Sequence, residues 1–161
     1  MTQDNPFYPA MIEAVQQTLE NMVFMEVIEE RGTPTNIPTA ELTWSSMLIN
    51  DPVQGEIRLA MPAGLLKKIS GNVFGIDEED VTTSQADDII NELLNTIGGL
   101  FMTKLFPNQE YQIGLPSLAA GKLLDVDEHT VVWHLINDDE EPLKIYADGE
   151  SLVALHQKAE K

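Results

Sequence analysis

The chain has 161 residues, enough for one domain with a substantial core, and its apolar fraction of 43% is ordinary for a globular protein. Its 27 acidic residues against 9 basic ones give a formal charge of −18, which repels phosphate backbones and anionic lipid and argues against nucleic acid or membrane as partners. The absence of cysteine excludes disulfides, thiolate metal sites and cysteine nucleophiles.

The opening Met-Thr-Gln-Asp-Asn-Pro has neither the positive region nor the apolar core of a signal peptide, and no apolar run reaches membrane-spanning length. The expectation is a cytoplasmic protein formed by residues 1–161 as a single domain. A first helix is predicted from between Pro6 and Ala10 to about Glu29-Glu30, where Arg31-Gly32 ends it. Met11, Ile12, Val15, Leu19, Met22 and Val23 share one face of it, as core-filling residues do. Gly32 to Pro38 is a loop by composition. Ala40 to Ile49 and Val53 to Met61 then read as a hairpin turned by Asn50-Asp51-Pro52.

Pro62 opens a second helix with Leu65, Leu66, Ile69 and Val73 inward and Gly75 as C-cap. The run Asp77-Glu-Glu-Asp80 reads as a solvated connection, since it lacks the alternating oxygen ligands and central glycine of a calcium loop. A central helix follows from Ser84 to Phe106. Ser84 and Asp87 form a capping-box-like pair at its start, Lys104 sits in its last turn and Pro107 stops it. Beyond Tyr111 to Leu115 and Pro116 to Gly121, strands are predicted over Lys122–Val126, Thr130–Ile136 and Leu143–Ala147, then a helix from about Glu150 to Lys158. Hairpin-like strands with interspersed helices imply an α+β domain with a largely antiparallel sheet.

The central helix poses the functional question. At about 100° per residue, Ile90, Leu93, Leu94, Ile97, Leu100, Phe101 and Leu105 fill one broad apolar arc. Asp88, Glu92, Asn95 and Gly99 fall in a narrow stripe on the opposite side. Dipole electrostatics alone accounts for Asp88, an acid in the first turn. Asn95 is a mediocre helix former, and Gly98 and Gly99 each cost about 0.8–1 kcal/mol against alanine in a helix interior. A helix that keeps them has a packing or access reason.

Asp88-x3-Glu92-x2-Asn95 resembles the signature of the CheC/CheX/FliY phosphatases of bacterial chemotaxis, and Ile113-Gly-Leu-Pro116 with Gly121-Lys122 resembles the segment that follows that helix in CheX-like domains. The CheC type carries the motif twice. Here the first helix offers only Glu13-x2-Gln16 and Glu20-x2-Val23, so the chain resembles the single-site CheX type. The resemblance implies hydrolysis of the aspartyl phosphate on a CheY-like response regulator. It implies that Asn95 orients the attacking water and that Glu92 pairs with the regulator's active-site lysine. Asp88, Gly99 and Pro116 would contact the partner, magnesium would belong to the regulator, no cofactor would be intrinsic, and the chain would form a homodimer. The alternative is a non-catalytic module of the same fold that binds a regulator or dimerises.

Other chemistry finds little support. His129, His134 and His156 lack metal-ligand spacing, and His134 within Val131–Ile136 reads as a sheet-face or edge histidine. No nucleophile elbow, phosphate-binding loop or dinucleotide fingerprint occurs, and Trp44 and Trp133 read as core or interface residues.

Overall fold

The computed structural model describes residues 6–120 and 129–158; the expected strand Lys122–Val126 and the Gly121-Lys122 pair lie outside them. In chain order the elements are α1 (Phe7–Val23), β1 (Val27–Glu29), β2 (Leu42–Asp51), β3 (Gly55–Pro62), α2 (Ala63–Phe74), α3 (Thr83–Leu105), β4 (Gln112–Ile113), β5 (Ser117–Ala120), β6 (Thr130–Asn137), β7 (Pro142–Asp148) and α4 (Glu150–Lys158). The strands form one antiparallel sheet in the order β1-β6-β7-β3-β2, and both β4 and β5 pair with the outer side of β2. This is the expected α+β architecture with a largely antiparallel sheet.

Alternation along the strands builds one core. Met47 and Ile49 of β2, Ile57, Leu59 and Met61 of β3, Leu143 and Ile145 of β7, and Trp133 and Leu135 of β6 join residues of all four helices in one cluster. Aromatic contacts lock the layers together. Phe7 meets Phe101 edge-on at 5.4 Å, Tyr8 stacks on Trp133 at 5.3 Å, and the Trp133 indole donates to the Tyr8 carbonyl at 3.0 Å.

Three expectations need correction. Helix α1 ends at Val23, not near Glu29, because Phe24 turns left-handed (φ 57°) and donates its N–H to the Leu19 carbonyl. That turn releases Val27–Glu29 to pair with β6 as the edge strand β1, with Val27 buried. The N-cap of α3 is Thr82, not Ser84, which leaves Asp88 beyond the first turn and no acid within it. The Thr82 hydroxyl accepts from the Gln85 N–H at 3.1 Å, and the Gln85 side chain accepts from the Thr82 N–H at 2.9 Å. In α2, Leu65, Leu66 and Ile69 are buried as expected, but Val73 is 42% exposed and the buried flank is completed by Ser70 and Gly71. A Cβ on Gly71 would stand 2.8 Å from the Ile76 carbonyl oxygen, so the helix rolls to bring this glycine, and not Val73, against the turn beyond its C-terminus.

The opposite face of the sheet carries a polar cluster. Arg58, 2% exposed, pairs with Glu56 at 2.8 Å and Asp148 at 3.6 Å, and its guanidinium lies 5.8 Å from the Trp44 ring centre. Lys144 and His134 Nδ1 are 2.9 Å apart on neighbouring strands, which places His134 on a sheet face. Burial alone would raise the Glu56 carboxyl, but hydrogen bonds from Arg58 and Ser46 outweigh it and hold the pKa below the usual value.

Two measurements probe these contacts. Thr82→Ala should lower folding stability by about 1 kcal/mol through loss of the capping box, whereas Ser84→Ala should stay within about 0.5 kcal/mol of wild type in urea unfolding. Glu56 has a depressed native pKa, so its stabilisation exists above the unfolded value of about 4.3 and is lost as pH falls through the native value. The stability gap between wild type and Glu56→Gln should therefore be full at neutral pH and close in acid; a gap that widens in acid would contradict the pairing.

Candidate functional site

Two contacts orient helix α3 against the sheet. At Gly98 a Cβ would overlap the terminal methyl of Met47 on β2, so a larger residue there would make that flexible side chain move aside. Two turns earlier, the buried Ser45 hydroxyl donates to Asn91 Oδ1 at 2.5 Å, with the Ser117 carbonyl of β5 at 3.4 Å. On the helical wheel Asn91 and Gly98 lie about a quarter turn from the stripe. The opposite flank, with Ile90, Leu93 and Ile97 fully buried, packs towards α1. The stripe therefore looks away from α1, out over the edge of the sheet where β4 and β5 lie.

Asp88, Glu92 and Asn95 are all exposed and Gly99 is half-buried, in a row roughly 16 Å long at the helical rise. The row expected from the sequence is thus brought together on one accessible face. Among the described residues, neither Glu92 nor Asn95 has an ion pair or a side-chain hydrogen bond, whereas Arg58 and Lys68 both form ion pairs. A carboxylate and a carboxamide one turn apart, about 5–6 Å between Cβ atoms, keep their full hydrogen-bonding capacity for something outside the fold.

The two glycines divide their roles. Gly98 answers to Met47. Gly99 leaves space: a Cβ there would meet nothing closer than the Tyr111 hydroxyl at 4.0 Å. That hydroxyl donates to the Gly99 carbonyl at 3.2 Å and shares a hydrogen bond with Thr103 at 2.9 Å, tying the chain before β4 to the far end of the stripe. Pro116 lies apart from the helix, in the link between β4 and β5 on the adjoining edge.

Sequence reasoning missed three residues that shape this site. Asn91 gave the same signal as Asn95, a carboxamide in mid-helix, one position before Glu92. Ser45 and Tyr111 act across 46 and 12 residues of chain respectively, and no local pattern exposes such contacts. No group of three or more His, Asp or Glu among the described residues is arranged to hold a metal ion, and no helix among them is long and apolar enough to cross a membrane.

The sequence matches the family described as chemotaxis phosphatase CheX over residues 45–136, more than half of the chain and all of the stripe. No curated protein matches it significantly. Solved structures of similar fold include the chemotaxis protein CheX from Vibrio vulnificus, 15% identical with a TM-score of 0.70, covering 88% of this chain and 95% of that one. A CheX from Desulfovibrio desulfuricans is 14% identical with a TM-score of 0.71, covering 89% and 99%. CheX in a CheX–CheY–BeF3–Mg2+ complex from Borrelia burgdorferi is 15% identical with a TM-score of 0.70, covering 90% and 98%. With the family match and the shared fold together, the chain belongs to the CheC/CheX/FliY family of chemotaxis phosphatases, on its CheX side.

Proposed function

We propose that this protein accelerates hydrolysis of the aspartyl phosphate on a CheY-like response regulator. The observation that carries the reading is the pair Glu92 and Asn95, exposed and without side-chain partners among the described residues, on a helix whose apolar arc is buried in the core. The match to the CheX family and the fold shared with a chain solved in complex with CheY support the choice of partner.

The chemistry suits so sparse a site. Water attacks phosphorus in line, the bond from phosphorus to the aspartyl oxygen breaks, and carboxylate, inorganic phosphate and a proton result. Such a step needs positioning and charge stabilisation more than covalent help. The Asn95 carboxamide accepts a hydrogen bond from the water through its oxygen and donates through nitrogen to nearby oxygens, fixing the line of attack. A carboxylate beside a phosphoryl group is unfavourable unless a cation stands between them. Glu92 therefore requires a positive group from the partner, which the regulator's active-site lysine supplies. Magnesium belongs to the regulator in this reading, and the catalytic charge comes with the substrate protein. Asp88 contributes to the contact and Gly99 lets the partner approach. A homodimer is part of the same proposal, to be read by sedimentation equilibrium.

A phosphorylated CheY-type receiver from the same organism, mixed with the purified chain, provides the test. Asn95→Ala should reduce the accelerated phosphate loss by about 100-fold, within the usual range for an acid–base or water-positioning group, without lowering the melting temperature. Full activity in that variant overturns the assignment. Glu92→Ala should raise KM more than it lowers kcat, and Asp88→Ala should change either by less than about threefold. If wild type binds receivers yet never hastens dephosphorylation, the chain is a binding module of this fold.

A further inference from the structure

The polar face of the sheet carries a row of side chains that the phosphatase reading does not use. Register sets His134 of β6 opposite Lys144 of β7, and Lys144 opposite Ala60 of β3. The Glu30 N–H donates to the His134 carbonyl at 2.8 Å, so Glu30, just beyond β1, closes the row. Lys144 Nζ stands 2.9 Å from His134 Nδ1. Among the described residues, no carboxylate forms an ion pair with that amine. Glu30, the carboxylate whose charge acts on it, is taken up by the backbone N–H and the hydroxyl of Thr35. In a chain with 27 acidic residues, a half-buried lysine is thus left with an imidazole as its hydrogen-bond partner.

Lys68 of α2 gives the contrast. It meets Glu141 at 2.9 Å, and that hydrogen bond holds its ammonium above the ordinary lysine value. Lys144 goes the other way: burial disfavours its charged form and holds it below that value, with Glu30 pulling in the opposite sense. Burial, and then the Lys144 charge, likewise hold His134 below the ordinary imidazole value. His134 is therefore uncharged near neutral pH, and with its hydrogen on Nε2 it offers Nδ1 as an acceptor. A desolvated amine is a nucleophile, and here a base stands beside it for the proton it must shed. We propose that Lys144 is an acylation site that takes an acyl group from a small activated donor, with His134 as the proton acceptor. The amine lone pair forms the new bond to the carbonyl carbon. The bond from that carbon to the donor's leaving oxygen or sulfur breaks, and its electron pair departs with the leaving group. The proton released from nitrogen passes to His134 Nδ1 and then to water. A formal charge of −18 favours an uncharged donor over an anionic one. The amide formed carries no charge, which suits a half-buried position better than an ammonium does.

The test treats the full chain with limiting para-nitrophenyl acetate, an uncharged donor, from about pH 6 to about pH 10, and reads acetylation residue by residue by peptide mass spectrometry. At about pH 7.5, Lys144 should be acetylated about tenfold faster than the exposed Lys67 or the ion-paired Lys68. Its rate should level off below about pH 10.4, the ordinary lysine value, whereas a lysine in a short model peptide keeps climbing to it. His134→Gln keeps a polar side chain but cannot take up the proton. That variant should slow Lys144 at least about fivefold while leaving Lys67 and the melting temperature unchanged. Acetyl phosphate, an anionic donor, should favour Lys144 over the model peptide less than the ester does. Lys144 acetylated no faster than Lys67 overturns the proposal, as does a rate that climbs with pH like that of the model peptide. An unchanged Lys144 rate in His134→Gln overturns the assignment of His134 as proton acceptor, and equal discrimination by the two donors overturns the choice of an uncharged one. No phosphatase activity enters the readout, so the outcome stands apart from the reading of the stripe.

Discussion

A cylinder packed only by oily contacts can roll about its axis at little cost, and a roll of one residue would turn Asn95 or Glu92 out of line by about 100°. In this protein two contacts oppose a roll of α3. The missing Cβ of Gly98 is a socket for Met47, and the buried Ser45 hydroxyl is bound to Asn91 two turns away. One contact is steric and the other polar, and they lie on the same flank of the helix. Together they favour one roll and one height above the sheet. The accessible row from Asp88 to Gly99 inherits its direction from them.

A helix with so poor a propensity survives for a different reason. Asn91, Asn95, Gly98 and Gly99 all detract from intrinsic helicity. Against them stand Ile90, Leu93, Leu94, Ile97 and Phe101, each without solvent exposure, and a reciprocal capping box at Thr82 and Gln85. Tertiary burial overrides local preference, and the weak formers are left wherever the sheet or the outward face has a use for them.

Much of this was legible in the sequence because it is periodic. The apolar arc of α3, the hairpin of β2 and β3, strands β6 and β7 and the span of α4 all follow from spacing and turn residues. So did the gathering of Asp88, Glu92, Asn95 and Gly99 on one accessible face, since helical geometry depends only on position. The errors share a cause: places where two local patterns compete. Thr82-x2-Gln85 and Ser84-x2-Asp87 both resemble a capping box, and the glutamine, long enough to reach back, decides for Thr82. Nothing glycine-like marks the end of α1, because a phenylalanine takes the left-handed conformation and the β6 edge draws Val27–Glu29 into the sheet. Contacts such as Ser45 with Asn91, or Tyr111 with Gly99, lie beyond any local pattern.

Strands β4 and β5 are two and four residues long, and the ladder along β2 shifts register at Ile49 and Asp51. Pro116, in the link between them, has no N–H to offer a neighbour. A long, regular edge offers its backbone to any extended chain that passes, whereas among the described residues this one is interrupted between β4 and β5. What the broken edge still offers is shape and apolar side chains. Among the described residues this boundary of the sheet thus gives a passing chain little continuous backbone to pair with.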